Sequence, residues 1–383
     1  MSIKTYNSTR ANASNIDYGI EVVYNILEHR FILTQIMKLV SLLQEINNFV
    51  FYSQDGNMGD LLIGEGTRQL FQRLGKHYFT YGEDKLPEKY VMVHSGGARF
   101  TSNWCKIDQA IEELCNERVE KCIILPHSFY NVDRLLAHFD ERHIIFCRDK
   151  YSYEYCKKQC QKSPVYLSDD MAFYLRLTDV RPVPIQHATK MCIRQDECRT
   201  LEAIKKGLFE TMHRRVRNAT VRTTIGGETK SIAFLLRTDT EKGVALSCPL
   251  AYDIPVAWHT TGSNMMFNGN ILRQFSHSLK QADIIISDRL HVCIMAYLSG
   301  CEVYMLDNNY KKLSGVYEQT LSQESKVHLL PGAILTPELE KAWRKLLKRY
   351  TVTYSIKNAI KKAKIFTPLI MWRHHLLTLL RLR

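Results

Sequence analysis

The 383-residue sequence lacks the patterns that define several common protein classes. It has 11 cysteines, an odd number, but no C-x-x-C pair. It also has no low-complexity stretch and no repeat at the period of a solenoid. Cys122 and Cys293 lie in apolar runs typical of buried free thiols, and no partner cluster completes a zinc site around Cys156 and Cys160. We therefore predict no disulfide scaffold, no metal and no cofactor.

Long hydrophobic runs are also missing. The longest, Phe31 to Leu43, is interrupted by Gln35 and Lys38 and is shorter than a helix that spans a bilayer. The first residues do not follow the basic, apolar and small-residue order of a secretory signal. We therefore expect a cytoplasmic protein.

Acidic residues are absent after Glu340, whereas twelve Lys and Arg residues follow it. Without those twelve, the chain has 40 basic and 39 acidic residues, so the net charge of +13 belongs to its carboxy-terminal part. Residues 351–383 combine basic, aliphatic and aromatic side chains, which is typical of an interfacial amphipathic helix, interrupted near Pro368. We expect this basic tail to bind anionic lipid at the inner face of the cell membrane. A closing helix packed on the first domain is the main alternative, and nothing else in the chain indicates a nucleic-acid partner.

Short apolar strands alternate with helical patterns after residue 48, which predicts parallel sheets wound by helices. The strands predicted first are Phe49–Ser53, Val91–Val93, Cys122–Leu125, Ile144–Phe146 and Val165–Leu167. We predict an α/β fold of two Rossmann-like domains that face a central cleft. We divide the chain into an N-terminal helical segment (1–47), a first domain (48–180), a linker (181–230), a second domain (231–350) and the basic tail (351–383). The N-terminal segment is predicted to hold a helix over Ile16 to Ile46, and the linker a connecting helix over Glu202 to Arg215.

The most informative stretch runs from Ala282 to Tyr317. Asp283 to Ser287 is a β-branched run typical of a strand buried on both faces, and Val292 to Leu298 predicts a helix. Arg289 and His291 lie between the two. Residues in such a position line the ligand crevice of an open α/β sheet, where a helix N-terminus also favours an anion.

This stretch, with S-D-R-L-H, a helix, G-x-x-V and L-D-N-x-Y-x-K-L, resembles the carboxy-terminal signature of the polysaccharide pyruvyl transferase family. Six further segments match the family's motifs in the same order. They are Phe49–Phe71 with G-N-x-G-D, Val91–Gly97 with a glycine-rich loop, Ile123–Ser128 with Leu-Pro-His-Ser, Phe146–Tyr153 with R-D-x-x-S, Ser168–Phe173 with D-x-A-F, and Ile232–Lys242 with R-x-D-x-E. Leu175 to Lys230 and the two ends have no counterpart.

The resemblance implies transfer of the enolpyruvyl-derived unit of phosphoenolpyruvate onto two hydroxyls of a sugar, with release of phosphate and formation of a pyruvate ketal. The acceptor would belong to a cell-surface polysaccharide, such as capsule, O-antigen or exopolysaccharide, or to its lipid-linked precursor. A GT-B-like arrangement is also implied, with the acceptor on the first domain and the donor on the second. The expected partners are phosphoenolpyruvate, a lipid-linked saccharide and the anionic membrane surface.

Phosphoenolpyruvate carries a phosphate and a carboxylate on adjacent atoms, so its site needs at least two cationic side chains. Arg237 and Arg289 each follow a strand of the second domain, and one crevice can hold both. The resemblance adds Leu290, His127 and Lys312 to the predicted donor site.

The transfer also needs an acid near C3 of the donor and a base near the sugar hydroxyl. We assign His291 as the general acid/base, and His127 as a phosphate or carboxylate contact that shares in proton transfer. The resemblance favours these roles over surface caps. Arg148 is interpreted as the anchor of a loop. The predicted acceptor-binding or orienting residues are Asn57, Gly59, Asp60, Ser95, Asp170, Asp239 and Glu241.

Two other functions remain open from the sequence. A GT-B glycosyltransferase that uses a nucleotide sugar would share the predicted architecture, since fold does not fix chemistry. A non-catalytic scaffold of glycan assembly would explain the basic tail. The presence of both arginines and both histidines argues against the scaffold.

Overall fold

The computed structural model describes residues 37–54, 56–180, 209–237, 246, 265–307 and 311–362. The strands of its first sheet are β1 (Phe49–Tyr52), β2 (Tyr78–Thr80), β3 (Tyr90–His94), β4 (Val119–His127), β5 (His143–Cys147) and β6 (Val165–Leu167). They are all parallel and lie in the order β2-β1-β3-β4-β5-β6. The five strands predicted for this region are confirmed, and β2 is an additional edge strand.

A second sheet follows in the order β11-β10-β9-β8-β7. Its strands are β7 (Thr220–Ile225), β8 (Glu228–Leu235), β9 (Ile284–Ser287), β10 (Glu302–Leu306) and β11 (Val327–Leu330). Strands β8 to β11 are parallel, whereas β7 pairs with β8 in an antiparallel hairpin. Residues 220–230, which the sequence assigns to the linker, therefore belong to this sheet. The molecule is a mixed α/β protein with a six-stranded parallel sheet and a second sheet.

Helices connect the strands of both sheets. They are α1 (37–45), α2 (Met58–Arg73), α3 (Ile107–Leu114), α4 (Asp133–Leu136), α5 (Lys150–Gln159), α6 (Phe209–Ala219), α7 (Met265–Leu279), α8 (Leu290–Leu298), α9 (Lys312–Val316) and α10 (Pro337–Lys362). Only the end of the helix predicted over Ile16 to Ile46 is described, as α1. The described part of the predicted connecting helix is α6, which continues beyond Arg215 to Ala219.

One apolar cluster joins elements of the two sheets. Met58 and Leu62 of α2 are buried in the same cluster as Leu290 and Met295 of α8. Polar contacts also cross between the halves, because the side chain of Gln319 donates to the backbone carbonyl of Ser168 (2.8 Å). The ends of α2 and α8 that carry the predicted site residues are therefore fixed relative to each other by packing.

The last described helix, α10, closes the second half. Leu339, Ala342, Trp343 and Leu346 are buried against the second sheet. The helix predicted near Pro337 to Arg349 is confirmed and continues to Lys362. The basic tail after that residue lies outside the described residues. No helix in the described ranges combines the length and hydropathy needed to cross a bilayer.

Candidate active site

The carboxyl ends of β8 and β9 bring Arg237 and Arg289 to one edge of the second sheet. Leu235 of β8 pairs with Ser287 of β9, so the residues that follow the two strands are neighbours. Both arginines are buried, with 5% and 6% of their surface exposed. Asp288 accepts a hydrogen bond from the backbone N–H of Arg237 (2.7 Å), and burial raises the pKa of this carboxyl to about 6. The structure thus places the two predicted donor-binding arginines side by side.

His291 lies in the first turn of α8 and reaches across to the first half of the molecule. Its Nε2 lies 3.4 Å from Oδ2 of Asp170, which also accepts a 2.7 Å hydrogen bond from Nη1 of Arg148. Burial acts to raise the pKa of Asp170, but His291 and Arg148 together hold it well below its usual range. Asp170 is therefore an ionised carboxylate that pairs with the guanidinium of Arg148 and also lies within reach of the imidazole.

Arg148 is more than the loop anchor that the sequence indicates. Its side chain is fully buried and donates from Nε to Oγ of Ser128 (2.9 Å), in addition to its pair with Asp170. Its Nη2 is buried and has no hydrogen-bond partner among the described residues. Such a donor is costly to leave unpaired. The loop after β5 lies beside the loop after β6, which is why this guanidinium enters the site.

The start of α2, with Asn57 as its N-cap, holds Gly59 and Asp60 close to His291. Oδ1 of Asn57 accepts from the N–H of Gly59 (2.7 Å), and Oδ2 of Asp60 accepts from the N–H of Asn57 (2.8 Å). These reciprocal hydrogen bonds fix the start of the helix. A Cβ on Gly59 would lie 2.2 Å from Nδ1 of His291, so the ring occupies space that only glycine leaves. Burial raises the pKa of Asp60, although His291 acts to lower it.

We expect Gly59→Ala to displace the His291 ring and to lower turnover by about 10²-fold, the scale of a catalytic group moved by about 1 Å. Gly64→Ala is the matched control in the same helix, because the nearest atom to its added Cβ is Nη1 of Arg68 at 3.5 Å. Alanine is the better helix former, so the control should keep its activity and its melting temperature. Steady-state kinetics and thermal unfolding of both variants measure this. Equal activity of the two would contradict the contact between Gly59 and His291.

Lys312 belongs to the same cluster. It begins α9 and is only 8% exposed. It lies close enough to Asp60 and His291 for its positive charge to act toward a lower pKa of each, although burial outweighs this effect at Asp60. Helix α9 is held near the first half by Gly315, because a Cβ there would lie 2.9 Å from Cβ of Asp149. The lysine that the resemblance adds to the donor site is therefore near the predicted acid/base.

His127 ends β4 and is completely buried against the rings of His94 and Phe100. Neither of its ring nitrogens has a hydrogen-bond partner among the described residues. Burial, with the neighbouring His94, lowers the pKa of His127 well below its usual value, so the ring is neutral at neutral pH. A neutral imidazole donates one hydrogen bond and accepts one. Ser95 contributes less, because its hydroxyl turns back to the carbonyl of Gly96 (3.4 Å).

Two predicted residues, Asp239 and Glu241, lie outside the described residues, and their roles remain predictions. Besides Arg148, which was interpreted only as a loop anchor, Gln54 was missed at the level of sequence. Oε1 of Gln54 is buried and has no partner among the described residues, 3.1 Å from where a Cβ on Gly97 would lie. The signal for Gln54 was its position directly before the D-G-N-M-G-D turn.

Chemically, these side chains offer three capacities. Arg237 and Arg289 supply buried positive charge for an anion. His291, held by Asp170, supplies a group for proton transfer. Asp60 supplies a second carboxylate, whose pKa is raised by burial and which is close enough to interact electrostatically with His291.

Comparison with known proteins places these residues in a family. A family model described as polysaccharide pyruvyl transferase matches residues 57–310, which include both histidines and both arginines of the site but not Lys312. A crystal structure of a functionally uncharacterised protein from Klebsiella pneumoniae subsp. pneumoniae NTUH-K2044 is similar, with a TM-score of 0.56 and 21% sequence identity. The similarity covers 78% of this chain and 98% of that chain, and it supports the fold. No curated protein matches the chain.

Proposed function

The chain belongs to the polysaccharide pyruvyl transferase family, and we propose that it transfers the enolpyruvyl-derived unit of phosphoenolpyruvate onto two hydroxyls of a saccharide. The observation that carries this proposal is the position of His291. The imidazole follows Arg289 by two residues, contacts Gly59 and is paired with Asp170. His291 is therefore adjacent in sequence to a predicted donor-binding arginine and adjacent in space to the predicted acceptor-side residues Gly59 and Asp170.

In this proposal the donor lies at the carboxyl edge of the second sheet. Arg237 and Arg289 bind its phosphate and carboxylate, since a planar guanidinium matches both anions in a bidentate manner. The backbone of Leu290, in the first turn of α8, adds the favourable end of a helix dipole. Lys312 and His127 complete the donor contacts, and phosphoenolpyruvate serves as a substrate, so no cofactor is required.

The reaction proceeds in two steps. One sugar hydroxyl adds its oxygen to C2 of the donor, while C3 gains a proton and becomes a methyl group. The second hydroxyl then forms its bond to C2 as the C2–O bond to phosphate breaks. The proton of this hydroxyl ends on the departing phosphate, which leaves as hydrogen phosphate. His291 delivers the proton to C3, and Asp60 or His127 takes the proton of the attacking hydroxyl. Asp170 keeps the imidazole oriented throughout.

The two sheets correspond, in this proposal, to the two halves of a GT-B-like enzyme with the site between them. The first half (48–180) binds the acceptor and the second (231–350, extended by the β7–β8 hairpin) binds the donor. The polar contacts between Asp170 and His291 support this division, because each residue follows a strand of a different sheet. Residues 1–47 and the linker flank these halves.

We further propose that the acceptor is a lipid-linked precursor of a capsule, O-antigen or exopolysaccharide, and that the enzyme works peripherally at the inner membrane face. The basic tail supports this proposal through its composition. Lys364, Arg373, Arg381 and Arg383 are interleaved with Phe366, Trp372 and leucines. Each basic residue near an anionic surface contributes roughly 1 kcal/mol.

Removing residues 363–383 is expected to abolish salt-sensitive binding to anionic vesicles and to slow reaction on a lipid-linked acceptor, while phosphoenolpyruvate binding is spared. The cut leaves α10 whole, because that helix ends at Lys362. Vesicle co-sedimentation at low and high salt measures the effect, since screening weakens surface attraction. A full-length variant with the four basic tail residues changed to Gln is the matched control for charge. If the truncated protein is insoluble and the full-length protein does not bind vesicles, the tail instead packs against the rest of the protein.

The experiment that tests the proposed function is phosphate release from phosphoenolpyruvate with a panel of free and lipid-linked saccharides. The proposal requires release that depends on both substrates. Turnover of nucleotide sugars without release of phosphate from phosphoenolpyruvate would identify a glycosyltransferase. No turnover of either donor by the folded protein would favour a scaffold.

A further inference from the structure

Three polar atoms converge beside Gly97, at the carboxyl ends of β3 and β4, and we call the space that they line the pocket. The position of a Cβ on Gly97 would be 3.1 Å from Oε1 of Gln54, 3.7 Å from Nε2 of His127 and 3.8 Å from Oδ1 of Asp60. Gly97 has a φ of 143°, a conformation that side-chain-bearing residues rarely adopt. Backbone and space therefore both require glycine where these three polar atoms converge.

The pocket has hydrogen-bonding capacity that the protein itself does not use. Oε1 of Gln54 and Nε2 of His127 are buried without a partner among the described residues. Oδ2 of Asp60 accepts from the N–H of Asn57, which leaves Oδ1 as the oxygen on the Gly97 side. Buried polar atoms of this kind are normally paired, so a ligand group is expected to pair with them.

Hydroxyl groups fit this pocket better than anions do. Gln54 Oε1 and the Asp60 carboxylate are acceptors, and neutral His127 both accepts and donates. A hydroxyl donates one hydrogen bond and accepts others. A phosphate or carboxylate would instead meet the like charge of Asp60. The donor's anions therefore belong with the arginines of the second sheet. Nε2 of His127 serves a sugar hydroxyl here, which leaves its Nδ1, also without a partner among the described residues, for the donor.

The loops that follow β3 and β4 lead from this pocket to the surface. Isolated bridges join Gly97 to His127 and Thr101 to Tyr130, so the two loops run side by side in the same direction. We call them the paired loops. An extended chain rises about 3.3 Å per residue, which places residue 130 about 10 Å from residue 127. A ligand that reaches both ends must therefore be longer than one pyranose ring.

Aromatic side chains are exposed at the outer end of the paired loops. Trp104 is 51% exposed and Tyr130 is 43% exposed. Contiguous exposed apolar surface marks interaction sites, and the paired loops carry both of these rings. The negative face of an aromatic ring attracts the weakly positive C–H groups of a sugar in the same way as it attracts the edge of another ring. The outer end of the paired loops therefore suits the apolar face of a saccharide.

We propose that the paired loops form the acceptor site, and that its ligand is an oligosaccharide of at least two pyranose rings. The hydroxyls of the reacting ring bind in the pocket beside Gly97, and the next ring stacks on Trp104 and Tyr130. This proposal rests on the proposed function, since it names the acceptor class of the same reaction. In it, Trp104 and Tyr130 determine the preference for acceptors of two or more rings, and Gln54 recognises a hydroxyl of the reacting ring.

The test compares the parent with the double variant Trp104→Ala/Tyr130→Ala. The matched control is Ile334→Ala, which removes an apolar side chain that is 75% exposed in the second half. Binding of free di- and trisaccharides built from glucose, galactose and N-acetylhexosamines is followed by saturation-transfer difference NMR without the donor. At least one of them is expected to bind the parent and the control, and to bind the double variant roughly tenfold more weakly. Phosphoenolpyruvate binding and the circular dichroism spectrum should be the same in all three proteins.

A second variant, Gln54→Leu, tests the pocket separately. It keeps the size of the side chain and removes its acceptor, so saccharide affinity should fall while phosphoenolpyruvate affinity stays. Unchanged saccharide affinity in the double variant, or no binding of any saccharide to the parent, overturns the proposal.

Phosphate release assays distinguish this proposal from the proposed function. If the parent binds disaccharides through Trp104 and Tyr130 but releases no phosphate, the proposed acceptor site is supported and the proposed reaction is contradicted. If the double variant has an unchanged KM for a reactive acceptor, the proposed reaction is supported and the proposed acceptor site is contradicted.

Discussion

Changing His291 to Ala is expected to lower turnover by roughly 10²–10⁴-fold, the usual scale for a positioned proton-transfer group. The fold should remain intact, because the side chain is a polar group of the cleft and is 14% exposed. Burial lowers the pKa of His291, although Asp170 acts in the opposite direction, so its protonation is sensitive to a bound anion. Rapid-quench measurement of phosphate release at saturating donor isolates the chemical step.

Variants of two further histidines provide comparisons for His291→Ala. His127→Ala should weaken donor binding more than it lowers turnover, because a neutral buried ring binds rather than supplies a proton. His328→Ala is the matched control, since that ring is 38% exposed, lies beside Glu302 and stacks on Tyr304 at the edge strand β11. Equal and small losses for His291→Ala and His127→Ala would show that neither histidine transfers a proton.

Arg237→Ala and Arg289→Ala are each expected to weaken phosphoenolpyruvate binding by roughly 2–5 kcal/mol, the cost of removing one partner of a buried charge pair. Replacement by Lys should restore little, because an ammonium group cannot bind an anion in the bidentate manner of a guanidinium. Isothermal titration with phosphoenolpyruvate measures each affinity.

The matched control for these variants is Arg344→Ala. That arginine is 75% exposed and pairs with Glu340 on the surface of α10. It should bind the donor as the parent does. If both site variants also bind as the parent does, the donor site lies elsewhere.

The parallel strands could be predicted from sequence because they are buried on both faces. Val165–Leu167 is observed with the bounds that its apolar run indicates, and Ile284–Ser287 differs from its prediction by one residue. The missed strands are edge strands. Thr220–Ile225 buries only alternate residues, and Tyr78–Thr80 has three residues that are all partly exposed. Such strands lack the continuous apolar run that marks a central strand.

The site was predictable where local sequence determines position, and less so where tertiary contacts do. Arg289 and His291 follow a strand and begin a helix, so their place at the sheet edge could be read directly. The link from Arg148 through Asp170 to His291 joins residues far apart in the chain, and no local pattern reveals it. The unpaired Oε1 of Gln54 likewise depends on the close approach of Gly97.

In the proposed reaction, the C2–O bond of phosphoenolpyruvate breaks as the sugar ketal forms. The most direct measurement uses phosphoenolpyruvate with ¹⁸O at the bridging oxygen, a reactive saccharide and mass spectrometry of both products. We expect all the label in phosphate, and an acceptor heavier by one pyruvic acid less one water. Label retained in free pyruvate, with an unmodified acceptor, would show P–O cleavage by a phosphatase-like reaction and would rule out ketal transfer.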